Sequence, residues 1–268
     1  MAPQAPRPLA VVTGASSGIG LELARQLAEQ GFDLLMTAED PQVVVAADAV
    51  AGQDTAVRAV VADLTRQDGV DRLVADVTAL GRPVDVLALN AGVGHGGVFL
   101  DTPIEGDVEV VMLNVVATVR LAKALLPAMV SRGAGRVLFT ASTASLMPGP
   151  YYATYAASKS FVLSFAQALR YELKDTGVTV TALLPGQTDT AFFERADMED
   201  TRVGRGSKDD PADVAAQAIE GLLAGKDKVE VRSLRARSQT AAAAVLPDRA
   251  KAAVQARFTR PDHLDEDG

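Results

Sequence analysis

Tyr155 and Lys159 stand four residues apart in the stretch Tyr155-Ala156-Ala157-Ser158-Lys159. On a helix that spacing puts both side chains on one face, a turn apart. A phenol beside an ammonium is a proton-transfer pair. The phenol's ordinary pKa of about 10 is too high for an efficient base at neutral pH, and a neighbouring cation favours the phenolate. A depression of about 3 units needs roughly 4 kcal/mol of differential stabilisation. A cation within about 4–6 Å supplies part of that in a partly dry site. Reducing a ketone takes a proton at oxygen and a hydride at carbon. Ser142 follows an apolar run that ends at residue 140, and its hydroxyl could donate a hydrogen bond to the oxygen as charge develops there. Alone, Tyr-x-x-x-Lys is weak evidence, because an amphipathic helix with a surface lysine gives the same pattern. Tyr151 and Tyr152 lack a lysine one turn on, so they are expected to line a substrate pocket or pack in the core.

A second chemical feature lies near the N-terminus. Thr13-Gly14-Ala15-Ser16-Ser17-Gly18-Ile19-Gly20 joins the first apolar run to the first helical segment. Glycines allow a tight turn with close backbone approach, and free N–H groups at the helix start favour a pyrophosphate. The glycine triplet gains weight from its place between strand and helix. The stretch from Gly14 to Gly18 also fits the nucleophile elbow of serine hydrolases. That reading needs a later histidine, and the two available are His95, in a glycine-rich loop, and His263, near the C-terminus.

The elements that position these residues are legible as a pattern. Apolar runs at 9–12, 34–37, 57–61, 84–89, 136–140, 178–184 and 229–231 read as seven strands. Most are apolar throughout, as in a parallel sheet buried on both faces. Between them, 19–30, 67–80, 107–132, 154–175, 211–224 and 247–258 have helical spacing, four ending at or near a glycine. Repeated strand–helix units imply an α/β fold: a single doubly wound, Rossmann-type domain over residues 1–259, its sheet flanked by helices on both faces. Residues 191–210 lack periodicity and read as a substrate loop, and 260–268 as an acidic, disordered tail.

Composition narrows the function. With 268 residues and 48% apolar content, one large core is affordable. A net charge of -8 disfavours nucleic acid, and the densest basic group, Arg232, Arg235 and Arg237, lies in ordinary helix-like sequence. There is no cysteine, and no His/Asp/Glu cluster has metal-ligand spacing, so no metal is expected. No run approaches the roughly 18 uninterrupted apolar residues of a membrane span. A cytoplasmic protein, with neither nucleic-acid nor membrane partner, is the expectation.

Taken in order, these motifs resemble the short-chain dehydrogenases/reductases from the glycine turn to about Thr190. Thr13–Gly20 is similar to the family's phosphate turn, Asp63 to its adenine contact with Leu64 beside it, and Asn90-Ala91-Gly92 to its Asn-Ala-Gly motif. Asn114 sits where the family has its active-site asparagine. Ser142, Tyr155 and Lys159 match its catalytic trio, and Pro185-Gly186 with Thr188 and Thr190 its nicotinamide segment. The resemblance implies a hydride-transferring NAD(P) oxidoreductase acting on a carbonyl or secondary alcohol. In it Tyr155 is the acid/base, Lys159 holds the nicotinamide ribose and lowers the phenol's pKa, Ser142 orients the substrate, and Asn114 helps hold a relay water. It also implies a homodimer or homotetramer through the long helices.

The cofactor and the substrate are less sharply marked. Glu39 would repel a 2′-phosphate, and no basic residue stands at Ser17, so NAD is favoured over NADP. Ala38 occupies the position where NAD enzymes of the family often have aspartate; Glu39 and Asp40 could equally cap the next segment. Met147, Tyr151, Tyr152, Phe192 and Phe193 hint at an apolar or aromatic substrate, with walls from 93–100, 143–152 and 187–210. The alternative is a non-catalytic NAD(P)-binding regulatory or scaffold protein of the same fold. Ser142, Tyr155, Lys159 and Asn114 argue against it, because a sensor needs no proton donor.

Overall fold

A computed structural model describes residues 7–190, 192–196, 198–231 and 247–265. Arg232, Arg235, Arg237, the His263 side chain and the last three residues lie outside that description. Seven parallel strands form one sheet in the order β3-β2-β1-β4-β5-β6-β7. They are β1 (Leu9–Thr13), β2 (Asp33–Ala38), β3 (Val57–Val61), β4 (Val86–Leu89), β5 (Gly135–Thr140), β6 (Val178–Leu184) and β7 (Lys228–Glu230). All seven fall where the apolar runs predict them.

The sheet is covered on both sides, which explains strands that are apolar throughout. Leu9, Val11, Leu87 and Phe139 face one layer, built from α3 (Gln67–Ala79), α5 (Thr118–Arg132) and α6 (Ala153–Glu172). Ala10, Val12, Leu34 and Leu138 face the other, built from α1 (Gly18–Glu29), α2 (Gln42–Val50) and α8 (Pro211–Leu223).

Helix α2 is an element the sequence reading did not contain. Its three consecutive valines disguise a period that buries Val43, Ala46 and Ala47, and Asp40 Oδ1 accepts from Gln42 N at 2.8 Å at its start. The predicted helix 107–132 is longer and irregular: α4 (Ile104–Val110) passes through a π-helical turn, Val111–Ala117, into α5. The combined helix of 29 residues is long and apolar enough to cross a membrane, but α5 buries Leu121, Leu125 and Met129 against the sheet.

The segment expected as a loop is folded. It contains α7 (Phe192–Arg195), and Phe193, Ala196, Met198 and Val203 pack with Tyr152 and Ala156 in a small third core. The last helix, α9 (Asp248–Thr259), docks on it, with Val203 N donating to Phe258 O at 2.9 Å. The order continues into the expected tail: Pro261 bridges to Thr201, Asp262 pairs with Arg205, and 262–265 form a 3-10 turn. Compensation of an acidic residue by a loop arginine is why charge alone did not mark disorder here.

Candidate active site

The strand order reverses between β1 and β4, and there the loops leave the carboxyl edge of the sheet in opposite directions and open a crevice. Its floor is tied by Thr13. The hydroxyl of Thr13 accepts from the backbone N–H groups of Asn90 and Ala91, both at 2.9 Å. Asn90 completes the tie: its Nδ2 donates to Thr13 O at 3.1 Å, and its Oδ1 accepts from Thr140 Oγ1 at 3.1 Å. The ends of β1, β4 and β5 are thereby joined.

Tyr155 and Lys159 occupy the first turns of α6, as the spacing predicts. Lys159 is 5% exposed, and its Nζ donates to Thr140 O at 3.0 Å and lies 5.8 Å from the Tyr155 ring centre. The ammonium also fits under the Asn-Ala-Gly turn because residue 92 has no side chain: a Cβ there would stand 2.9 Å from Lys159 Nζ. Burial pulls the Lys159 pKa down to about 8.

Ser142 is held before any ligand arrives. It caps the 3-10 turn Thr143–Leu146, with its Oγ accepting from Ala144 N at 3.1 Å and its own N–H donating to Ser145 Oγ at 3.2 Å. Ser142 and the Tyr155 phenol both line the crevice. Burial pushes that phenol up to about 12, with the Ser142 hydroxyl pulling the other way. This differs from the lowering by Lys159 that the sequence led us to expect. Taking both groups out of water outweighs what the ammonium contributes at that distance.

Asn114 lies in the π-helical turn and is 1% exposed. Its Nδ2 donates to Val93 O and to Ser158 Oγ, both at 2.9 Å, while its Oδ1 accepts from Val93 N at 3.0 Å. The π turn widens the helix so that one amide bridges the loop after β4 and the start of α6. Asn114 therefore sits behind the crevice wall.

The opposite end of the crevice suits a dinucleotide. Gly14 has φ +65°, and a Cβ on it would come within 2.8 Å of Ala91 Cα. Ser17 starts α1 without a side-chain cap and no acidic residue follows in the first turn, so the helix N–H groups are left for an anion. At the other end of the groove the buried Oε1 of Gln187 has no hydrogen-bond partner among the described residues, an acceptor suited to an amide donor such as a carboxamide.

Gly14, Ser16, Ser17, Gly18, Ile19, Gly20, Glu39, Leu64, Asn90, Ala91, Gly92, Ser142, Tyr155, Lys159, Pro185, Gly186, Thr188 and Thr190 all line this one crevice. Asp63 does not; its carboxylate accepts from Thr65 N at 2.9 Å and Thr65 Oγ1 at 2.6 Å, leaving Ala62 and Leu64 to form the wall. Tyr151 does not line it either. Its φ of 64° turns its carbonyl to Gly97 N, and from 93–100 only Val93 reaches the wall.

Comparison with known proteins agrees with this geometry. The short chain dehydrogenase family model matches residues 8–200. The chain belongs to the short-chain dehydrogenase family. It is 35% identical over 218 residues to a 1-deoxy-11-beta-hydroxypentalenate dehydrogenase of Streptomyces exfoliatus, covering 80% of this chain and 77% of that one. A short-chain dehydrogenase from Sphingobium yanoikuyae in complex with NADPH superposes with TM-score 0.79 at 30% identity, over 88% of this chain and 93% of its own. A 3-ketoacyl-(acyl-carrier-protein) reductase from Brucella melitensis with NADH gives TM-score 0.70 at 29% identity, over 83% and 96%. This short-chain dehydrogenase is thus an NAD(P)-dependent oxidoreductase.

Among the wall residues that the sequence did not mark are Gln255 and Thr259 of α9. They lie beyond the matched motifs, and their only signal is an i, i+4 polar pair on a short helix.

The buried cation has a measurable consequence. Unfolded, Lys159 keeps its charge up to 10.5; folded, only up to about 8. Between those values unfolding takes up a proton, so stability rises with pH there, and below them the whole penalty of burying the cation remains. Tyr155 opposes this only above pH 10.0, where the unfolded phenol ionises first. Urea unfolding of Lys159→Met in the absence of cofactor is expected to show, at neutral pH, stability no lower than that of the parent protein. The variant should also lose the rise between about pH 8 and pH 10. An equal rise in both proteins would assign it to another group.

Proposed function

We propose that this short-chain dehydrogenase interconverts a carbonyl compound and a secondary alcohol, with Tyr155 carrying the proton. One observation supports the reading above all: a serine hydroxyl, a phenol and a buried ammonium share a crevice with an uncapped glycine turn. The nicotinamide, when bound, supplies or accepts the hydride. Tyr155 gives its proton to the carbonyl oxygen in reduction and recovers it from the hydroxyl in oxidation. On the protein's own groups the phenol stays protonated through the physiological range, which suits the reductive direction. Ser142 donates to the same oxygen as negative charge builds there, from a hydroxyl already fixed by its cap. Lys159 supplies positive charge beside the phenol and a donor for the nicotinamide ribose. Asn114 is a positioning residue that fixes Val93 and α6 relative to each other.

The adenosine end favours NAD. Glu39 is held above its usual carboxylate range by burial, then by repulsion from Asp63, Glu109 and Asp40, with Arg195 opposing. A cluster of carboxylates repels a 2′-phosphate, and a ribose hydroxyl can donate to Glu39. Gly14, Ser16, Ser17, Gly18, Ile19 and Gly20 would hold the pyrophosphate; Leu64, Asn90, Ala91 and Gly92 the adenosine side; and Pro185, Gly186, Thr188 and Thr190 the nicotinamide. The protein acts as a homo-oligomer in this proposal. Ile104, Val108 and Val111 form an exposed apolar stripe on the long helix, with Phe161 exposed on α6. A cytoplasmic location accompanies it, and recovery in a secreted fraction would count against that.

Three outcomes are expected. Tyr155→Phe should lower kcat by about 10³-fold in steady-state assays while leaving NADH affinity intact, as for loss of a general acid. Full turnover in that variant would remove the assignment; the scaffold alternative predicts cofactor binding with no turnover in either protein. Glu39→Arg should raise the ratio of kcat/KM for NADP over NAD by about tenfold or more; an unchanged ratio would place the discrimination elsewhere. Light scattering should return the mass of two or four chains, against a monomer of 27.9 kDa.

A further inference from the structure

Beside Tyr155 the crevice has a chamber walled by Met147, Phe192, Phe193, Met198 and Val203. Rings and thioethers of this kind accept a hydrocarbon frame but give it no direction. The far wall is different. Helix α9 turns its polar side inward: Gln255 is 7% and Thr259 1% exposed, whereas Val254 and Phe258 are each 38% exposed. A helix docked for stability alone would bury the reverse set, since a buried amide is costly unless its hydrogen bonds are met.

The Gln255 amide is met only in part. Its Nε2 donates to Tyr152 Oη at 2.5 Å. Among the described residues, no other donor or acceptor reaches its side chain, and none accepts the Tyr152 hydroxyl proton. The O and N of such an amide are assigned from the hydrogen-bond network, yet turning it over changes nothing essential. Either way the pair keeps one donor and one acceptor open toward the chamber. Burial raises the Tyr152 phenol above its ordinary range, so it remains a neutral hydrogen-bonding group. Thr259 fixes the helix by donating to Pro150 O at 2.8 Å, beside the segment that carries Tyr152. The rings of Tyr152 and Tyr155 lie 5.9 Å apart, so this pair and the Tyr155 phenol line neighbouring stretches of one wall.

We infer that Tyr152 and Gln255 form a recognition site for a second, neutral polar group on the substrate, a hydroxyl or carbonyl carried on an apolar frame away from the reacting carbon. The inference rests on the proposed carbonyl chemistry at Tyr155 and names the class of compound it acts on: apolar ketones and alcohols with a second oxygen function. The contact is remote from the reacting carbon, so it holds ground state and transition state alike and its loss falls on KM.

The test uses two matched pairs of ketones with the full chain: 4-methyl- against 4-hydroxycyclohexanone, and 1-decalone against decalin-1,5-dione. The parent enzyme should favour the doubly oxygenated member of a pair by about tenfold or more in kcat/KM, as expected for one or two hydrogen bonds. Gln255→Met and Tyr152→Phe should each remove that preference through KM. Turnover of the singly oxygenated ketone and NADH affinity should stay within about twofold, which a variant that merely misfolds could not do. No preference in the parent, a preference that survives both variants, or turnover of neither pair would overturn the inference. Failure of the underlying chemistry shows itself separately, as turnover that Tyr155→Phe leaves intact.

Discussion

Everything at the site hangs on the knot that joins three strand ends. Thr13, Asn90 and Thr140 bind β1, β4 and β5 through side chains where the sheet reverses its order and strand-to-strand bonds run out. Parallel strands pair in register right up to this edge, with Val12 opposite Ala88 and Leu89 opposite Phe139. Past it, backbone groups would have to find water. The knot satisfies them internally and so fixes the glycine turn against the Asn-Ala-Gly turn. Thr140 joins the knot through its hydroxyl and holds Lys159 through its carbonyl. Cofactor floor and proton-transfer pair are therefore set by one residue at the end of β5.

That arrangement places a cation where solvent cannot reach it well. The structure compensates with a single backbone carbonyl and with proximity to a ring face, and the lowered pKa of Lys159 shows that the compensation is incomplete. A buried charge that is poorly satisfied is a stability liability. It persists because the site needs positive potential close to the phenol. The same burial acts on Tyr155 in the opposite sense and keeps it protonated. The two shifts have one origin, the loss of water around both groups. A developing negative charge on a substrate oxygen would meet a fixed serine donor and a cation already stripped of water.

The fold was legible because its signals are local. Seven apolar runs and the glycines that end the helices state the alternation of strand and helix, and the parallel sheet follows from strands without a polar face. The site was legible because glycine turn, Ser142, Tyr155 and Lys159 each sit at a strand end or helix start. What escaped depended on tertiary context. Three valines hid α2, whose buried face shows only once the sheet is drawn. The π turn around Asn114 has no residue signature, since it arises from the fit of one amide between Val93 and Ser158. The direction of the Tyr155 shift was misjudged because spacing reports a neighbouring charge and says nothing of lost water. The 198–205 segment looked like loop because its apolar residues are aperiodic, yet Met198 and Val203 are buried.

The chain divides along the same line. The family model matches residues 8–200, and the glycine turn, Ser142, Tyr155 and Lys159 lie within that span. Helix α9 begins at Asp248, beyond it, and carries Gln255 and Thr259 into the wall. A helix with few apolar residues to bury is held by polar contacts to the Pro150–Tyr152 segment, three residues before the proton donor. A change in α9 would reach the crevice wall at Tyr152 while leaving Tyr155 and the strand-end knot untouched. Substrate preference can then vary in this segment without loss of the hydride chemistry.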